Sequence, residues 1–242
     1  MTNVPDGMQF IRTKDLAAER DAGGSWYEVV VVDGRNRVGL ICALPGTPPD
    51  PHIHPDYNEW WINLGGTTQW QIGQYEPLLA EWGDIVIAPA GYCHDIRSKG
   101  AGLARRLHVS TPNSNHDIRG VSPTRFVPID YGLPMPNLLH TRFADLRESN
   151  GHEAAWSQVV VHDSRNTAKI ISQLPGTASD QRTPSRDEWW VMLAGDAVVR
   201  TSGGDIDTIE GDIVVAEPGT TYTVETTGDI PSVRILVTDT NA

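Results

Sequence analysis

The stretch PDPHIHPDYNEWW, residues 49–61, holds two histidines one residue apart, a glutamate five positions on and a tryptophan pair directly after it. On an extended backbone alternate side chains face the same way, so His52 and His54 present two imidazoles to one side, and a turn can bring Glu59 back beside them. Downstream, GDIVIAPAGYCHDI ends a strand at a Pro-Ala-Gly turn and sets His94 at the start of the next, within reach of the same interior. Three imidazoles and a carboxylate suit Fe(II), Mn(II), Ni(II), Zn(II) or Cu(II). Four protein ligands on an octahedral ion leave two positions for substrate, oxygen or water.

The elements that must position these groups read as short strands. Runs such as YEVVVV, EWWINL, TTQWQI and DIVIAP are rich in Val, Ile and Trp and separated by Gly, Pro, Asp and Asn clusters, which predicts an all-β chain built as antiparallel sandwiches or barrels. Only short helices are expected, near Lys14–Arg20 and Ala144–Ser149.

The chain also repeats itself. WYEVVVVDGRNRVGLICALPGT from Trp26 is echoed by WSQVVVHDSRNTAKIISQLPGT from Trp156, and NEWWINLGG by DEWWVMLAG. Two copies of one module follow, residues 1–110 and 138–242, joined by the proline-rich polar segment 111–137 as a linker.

The patterns Gly46-x5-His52-x-His54-x4-Glu59-x6-Gly66 and Gly83-x5-Pro89-x-Gly91-x2-His94 resemble the two motifs of the cupin superfamily, and the duplicated chain resembles a bicupin. The resemblance implies two tandem cupin barrels (double-stranded β-helices). It also implies one divalent metal ion in the N-terminal barrel, held by His52, His54, Glu59 and His94. Ser98 stands where the family's second motif usually has Asn, outside the ligand set. With all four ligand positions matched, the ion is a better reading than ordinary polar residues on a half-buried sheet.

In the second copy Arg182 falls at the position of His52, Pro184 at that of His54 and Tyr222 at that of His94, and Glu188 alone is kept. Proline offers no ligating atom and a protonated tyrosine binds divalent ions poorly, so that copy is expected to hold no metal. Positions polar in the first copy and apolar in the second, Asn63 against Met192, Gln69 against Val198 and His108 against Leu236, then mark candidate groups lining the metal-bearing cavity. Gln69, Gln71 and His108 are expected as hydrogen-bond partners of a substrate, with His108 as acid or base. Arg97 would hold a substrate carboxylate if it turned inward, although strand parity from His94 points it outward. Arg106 and Arg234 match, which suggests a shared structural role. Of Trp60 and Trp61, and of Trp189 and Trp190, one each is expected in the core.

Composition narrows the partners. A net charge of −12 repels nucleic acid and anionic membrane surfaces. The start MTNVPDGMQF lacks the pattern of a signal peptide, and no run of about 18 apolar residues spans a bilayer, so a cytoplasmic protein is expected. Cys42 and Cys93 read as free thiols. Resemblance to bicupins that open hydroxylated aromatic rings or oxidise small enols favours an Fe(II) dioxygenase acting on a small molecule. The alternatives are a redox-neutral Mn, Zn or Ni isomerase, decarboxylase or hydrolase, and a non-catalytic binding protein. A homodimer is expected from the family.

Overall fold

A computed structural model describes residues 4–114 and 135–241. In chain order the strands are β1 Met8–Ile11, β2 Trp26–Val32, β3 Arg37–Ala43, β4 Glu59–Gly65, β5 Thr67–Ile72, β6 Leu78–Ala80, β7 Ile85–Ala88, β8 His94–Lys99 and β9 Ala104–Ser110. They continue as β10 His140–Thr141, β11 Trp156–His162, β12 Asn166–Gln173, β13 Glu188–Ala194, β14 Ala197–Thr201, β15 Gly204–Thr208, β16 Ile213–Ala216, β17 Tyr222–Thr226 and β18 Ser232–Asp239. Two helices, α1 Thr13–Arg20 and α2 Phe143–Asn150, stand where short helices are expected. The chain is mostly β, as its alternating apolar runs imply.

The chain forms two compact units, Ala18–Leu146 and Met1–Ala17 with Arg147–Ala242. In the first unit a six-stranded sheet ordered β10-β7-β4-β9-β3-β2 faces a three-stranded sheet, β6-β5-β8. Trp61, Val86 and Ala88 from the larger sheet and Trp70, Ile72 and Ala80 from the smaller share one core cluster. The second unit repeats the plan with β1-β16-β13-β18-β12-β11 and β15-β14-β17. There Trp190, Met192 and Val214 meet Val199, Ile206 and Val224. The strands β4 and β13 lie between two neighbours each, which is why EWWINL and EWWVML are buried throughout. Both members of each tryptophan pair are buried, not one of each.

Local devices recur at equivalent places. In the β2–β3 hairpin the Asp33 carboxylate accepts from the backbone N–H of Arg35 and Asn36 at 2.7 and 2.6 Å. Asp163 does the same for Arg165 and Asn166, both at 2.8 Å. These are aspartate-built turns. Bulges interrupt the ladder at Val29/Val31 and again at Val159/Val161. After β4 the chain bends at Gly66, φ +63°, where a Cβ would lie 2.7 Å from the Leu103 carbonyl, and Gly195 repeats this at φ +67° and 2.6 Å from the Pro231 carbonyl. Only glycine fits such a bend.

The units depart from the expected boundaries at their ends. Strand β1 pairs with β16, Met8 opposite Ala216, so the first residues belong with the second unit. Strand β10 pairs with β7, His140 opposite Val86, so residues just after the expected linker complete the first unit. The physical cause is an open edge on β7 and on β16, each of which these segments cover. Polar bonds hold them there: Arg12 donates to Asp212 at 3.1 Å and the backbone N–H of Phe143 to Asp84 at 2.9 Å. Residues 115–134 of the expected linker lie outside the described residues.

Candidate metal centre

Glu59 opens β4 in the larger sheet of the first unit and His94 opens β8 in the smaller, so the two sheets bring them together. His52 lies outside the named strands, yet its backbone exchanges both hydrogen bonds with that of His94, at 3.2 and 3.0 Å. The His54 carbonyl accepts from the N–H of Gly91 at 2.8 Å, tying the second histidine to the Pro-Ala-Gly turn. The segment carrying both histidines is thus laced to the start of β8. The turn after it returns the chain to Glu59.

The four side chains are buried and offer ligand atoms that all lie within 4.8 Å of one another. Nε2 of His94, His54 and His52 stands 2.9, 3.1 and 3.9 Å from Oε2 of Glu59. The other ring nitrogens are held from outside. His52 Nδ1 meets the Asp50 carbonyl at 2.6 Å, His94 Nδ1 the Tyr92 carbonyl at 3.3 Å, and His54 Nδ1 the Tyr57 hydroxyl at 2.9 Å. A carbonyl only accepts, so His52 and His94 carry protons on Nδ1. Their Nε2 atoms in the neutral ring are then lone pairs aimed at a carboxylate.

Lone pairs crowded against a carboxylate repel one another, and rings protonated at both nitrogens would bury several cations around one anion. A divalent ion among the four groups removes the conflict. Ligands bound at about 2.1 Å stand roughly 3 Å apart when adjacent on the ion, which is the spacing of the closest pairs here. The residues therefore fit a metal, and the carbonyl and tyrosine contacts are the outer supports that orient metal-binding imidazoles.

His108, on β9, joins the group. Its Nε2 lies 2.5 Å from Oε1 of Glu59, and its ring stacks along Trp61 with centroids 6.4 Å apart. Burial alone raises the Glu59 pKa. The charge and hydrogen bond of His108 are the largest of the opposing causes, and Glu59 is held well below the usual carboxylate range.

The cluster opens on a cavity of about 510 Å³ whose lining includes His52, Glu59 and His108. Tyr27, Ile41, Trp61 and Ile96 supply apolar wall, and Ser98 and Arg106 polar wall. Arg106 is buried, and its Nε and Nη1 have no hydrogen-bond partner among the described residues. Burial lowers its pKa to about 10, opposed by the charges of Glu59 and Cys42. It is a cation at neutral pH.

Four expected cavity residues stand elsewhere. Gln69 and Gln71 alternate along β5 with buried Trp70 and Ile72, so both face away from the core. Gln71 instead donates to the carbonyls of Gly73 and Tyr75 at 3.1 and 2.7 Å. Arg97 is exposed on β8 and pairs with Asp95 at 2.9 Å, as strand parity implied, which removes it as a carboxylate holder in this cavity. Asn63 is buried but spends its amide on the Gly66 bend, donating to that carbonyl at 3.0 Å and accepting from Thr68 at 3.0 Å. Two residues were missed. Tyr57 bridges His54, Ser110 and Ser114. Arg106 sits two residues before His108 on one strand, a parity signal for the same cavity.

In the second unit Arg182 exchanges both backbone bonds with Tyr222, each 2.9 Å, the register that His52 and His94 occupy in the first. Glu188 accepts from Arg182 at 2.9 and 2.6 Å and from the Tyr222 hydroxyl. Burial, then the charge and hydrogen bond of Glu188, raise the Tyr222 pKa and keep it a phenol.

No family model and no curated protein matches the sequence. In structure the chain is similar to a cupin 2 conserved barrel domain protein from Leptotrichia buccalis, with a TM-score of 0.67 at 12% identity over 99% of both chains. It is similar to a mutant salicylate 1,2-dioxygenase from Pseudoaminobacter salicylatoxidans in complex with gentisate, TM-score 0.73 at 12% identity, covering 99% of this chain and 84% of that one. Oxalate decarboxylase from Bacillus subtilis gives 0.57 at 16% identity over 89% and 72%. These neighbours share the cupin fold with this chain. At such identities the likeness carries the fold and not the activity.

Proposed function

We propose that the first unit is a catalytic cupin barrel holding one divalent ion through His52, His54, Glu59 and His94, and that the protein is an Fe(II) dioxygenase acting on a small organic molecule by ring cleavage or enol oxidation. The observation that carries this reading is the buried three-imidazole, one-carboxylate cluster opening on a cavity of about 510 Å³. Bound iron would supply Lewis acidity and one-electron exchange, and Mn, Zn, Ni or Cu would suit the same donors. The likeness to a dioxygenase in complex with gentisate supports the choice of reaction class.

The chain's own residues do the remaining work. His108 fixes Glu59 through Oε1, and its Nδ1, without a partner among the described residues, is placed to take or give a proton in the cavity. Arg106 offers a fixed cation to a carboxylate or enolate on the substrate. Tyr27, Ile41 and Ile96 keep the wall apolar and limit water. In this reading the second unit is a companion barrel without metal, and two chains associate as a homodimer, which light scattering on the purified protein tests.

The test is oxygen consumption by anaerobically prepared, Fe(II)-loaded protein offered catechols, hydroxybenzoates, aminophenols and diketones. Uptake matched to substrate loss supports the reading. Turnover without oxygen uptake and with Mn, Zn or Ni would favour a redox-neutral isomerase, decarboxylase or hydrolase, for which the buried Nδ1 of His108, without a hydrogen-bond partner among the described residues, is the supporting observation. Saturable binding without product would leave a metal-dependent binding protein.

A further inference from the structure

The second unit has a cavity of its own, about 420 Å³, lined by Ile171, Trp190, Val224 and Leu236 and by two guanidinium groups, Arg182 and Arg234. The two arginines differ in their setting. Arg182 has Glu188 as countercharge, at 2.6 Å, and that carboxylate is spent on it and on Tyr222. Arg234, on β18, is only 4% exposed, and among the described residues no carboxylate charge acts on it. Its Nη2 donates to Oε1 of Gln173 at 3.1 Å, while Nη1 has no partner among the described residues. Asp180, the other carboxylate at this cavity, is exposed on the rim.

Gln173 is itself pinned. Its amide nitrogen donates to the carbonyls of Thr177 and Val224 at 2.6 and 2.9 Å, which fixes its oxygen as the acceptor turned to Arg234. The guanidinium is therefore held in position but not neutralised. Burial lowers its pKa to about 10, Tyr222 opposes that and Arg182 adds to it, so it stays charged at neutral pH. A buried cation without an anion is an unfavourable arrangement unless an anion arrives.

The same arginine stands in the first unit. Arg106 lies opposite Ile41 and Asn63 across its neighbouring strands, as Arg234 lies opposite Ile171 and Met192. Three of the four metal-site positions differ between the units, and the arginine does not. A role in packing alone would give it saturated hydrogen bonds, which neither arginine has. Its persistence where the imidazoles are gone separates it from the metal.

We propose that the cavity of the second unit is a metal-independent binding site for a small carboxylate with an apolar body, the carboxylate seated on Arg234 and the body against Trp190, Ile171 and Leu236. The planar fork of a guanidinium matches a carboxylate's two oxygens, and the hydrocarbon wall selects against a bare inorganic anion. No bond is made or broken there. The site would let an acid act on the protein without entering the chemistry of the first unit.

The experiment uses the full chain after chelator treatment, with Arg106→Met to blank the first cavity, titrated calorimetrically with 4-bromobenzoate. One saturable site per chain is expected. Adding Arg234→Met should weaken it by roughly 30-fold or more, the scale of losing a buried charge-assisted pair, and Arg234→Lys should fall between. In case the methionine variant fails to fold, crystals of the unaltered protein soaked in 4-bromobenzoate give a second readout, with the anomalous bromine peak in the second cavity and the carboxylate on Arg234. Bromine confined to the first cavity or to the surface overturns the proposal. So does an Arg234→Met variant that binds unchanged, or inorganic phosphate that competes equally. Oxygen uptake by the metal-loaded protein is read separately, so either reading can fail alone.

Discussion

His108 Nε2 stands 2.5 Å from Oε1 of Glu59, while His52, His54 and His94 meet the same carboxylate at its other oxygen, Oε2. One carboxyl group thus faces the proposed ion with one oxygen and an outer histidine with the other. His108 acts on the centre through Glu59. Outer partners of this kind are worth about 10- to 100-fold in metal affinity. His108→Gln should lower affinity by that amount yet still retain metal, whereas His52→Ala should lose it. Metal content after dialysis against graded chelator separates the two, and equal loss in both would count against the division of roles.

Metal removal should be felt as lost stability. An ion present at about 100 times its dissociation constant stabilises the folded state by about 2.7 kcal/mol. Adding it back to the stripped protein should raise the melting temperature, and His94→Ala should show no rise. Tyr222→Phe, at the equivalent register of the second unit, should behave as the unaltered protein does.

Gln69→Ala and Arg97→Ala should leave turnover unchanged, because both side chains face away from the cavity. Gln71→Ala should also spare turnover but cost about 1 kcal/mol for its lost bonds to the turn at Gly73 and Tyr75. Urea denaturation beside a steady-state assay reads both quantities. A selective fall in turnover for any of the three would return it to the site.

The Arg182–Glu188 pair gives a prediction of sign. Arg182→Met alone leaves Glu188, 2% exposed, without its main countercharge. The cost should be about 1–3 kcal/mol, below that of a fully buried pair because Arg182 is half in solvent. Arg182→Met with Glu188→Met should recover part of that loss. A double variant less stable than the single one would show that the carboxylate has another task.

Cys42 should be unreactive over the ordinary pH range. Burial, opposed by Arg105 and reinforced by Asp21, pushes its thiol up to about 11. A raised pKa keeps the thiolate scarce until the pH approaches that value, so iodoacetamide at pH 8 should leave it intact in the folded protein and label it in urea. Labelling of Cys42 itself in the folded chain at pH 8, located by peptide mapping apart from Cys93, would contradict this.

The cluster of His52, His54, Glu59 and His94 is legible because its parts are local: two histidines of one parity, a turn, and a glutamate and a histidine each opening a strand. Strand parity also placed Arg97 correctly. The same parity, with Trp70 and Ile72 as buried neighbours, excludes Gln69 and Gln71, although Gln69 is polar where the second copy has Val198. Asn63 misled in the same way, since a polar side chain can be required by a bend as readily as by a cavity. Recurrence of Arg106 as Arg234 points by itself to a structural role. Only the absence of bonding partners, a property of the folded state, tells against that. The end strands were not legible either, because a four-residue strand such as β1 names no partner some 200 residues away.

That distant pairing orders events during synthesis. The unit that carries the His52, His54, Glu59 and His94 cluster can close once residues up to Leu146 have left the ribosome, β10 included, although β1, made before it, takes no part in it. Met8–Ile11 must wait for Ile213–Ala216, some 200 residues further along, before its backbone finds a mate. Deletion of Met8–Ile11 would therefore injure the unit that closes later and leave the unit with the His52, His54, Glu59 and His94 cluster intact.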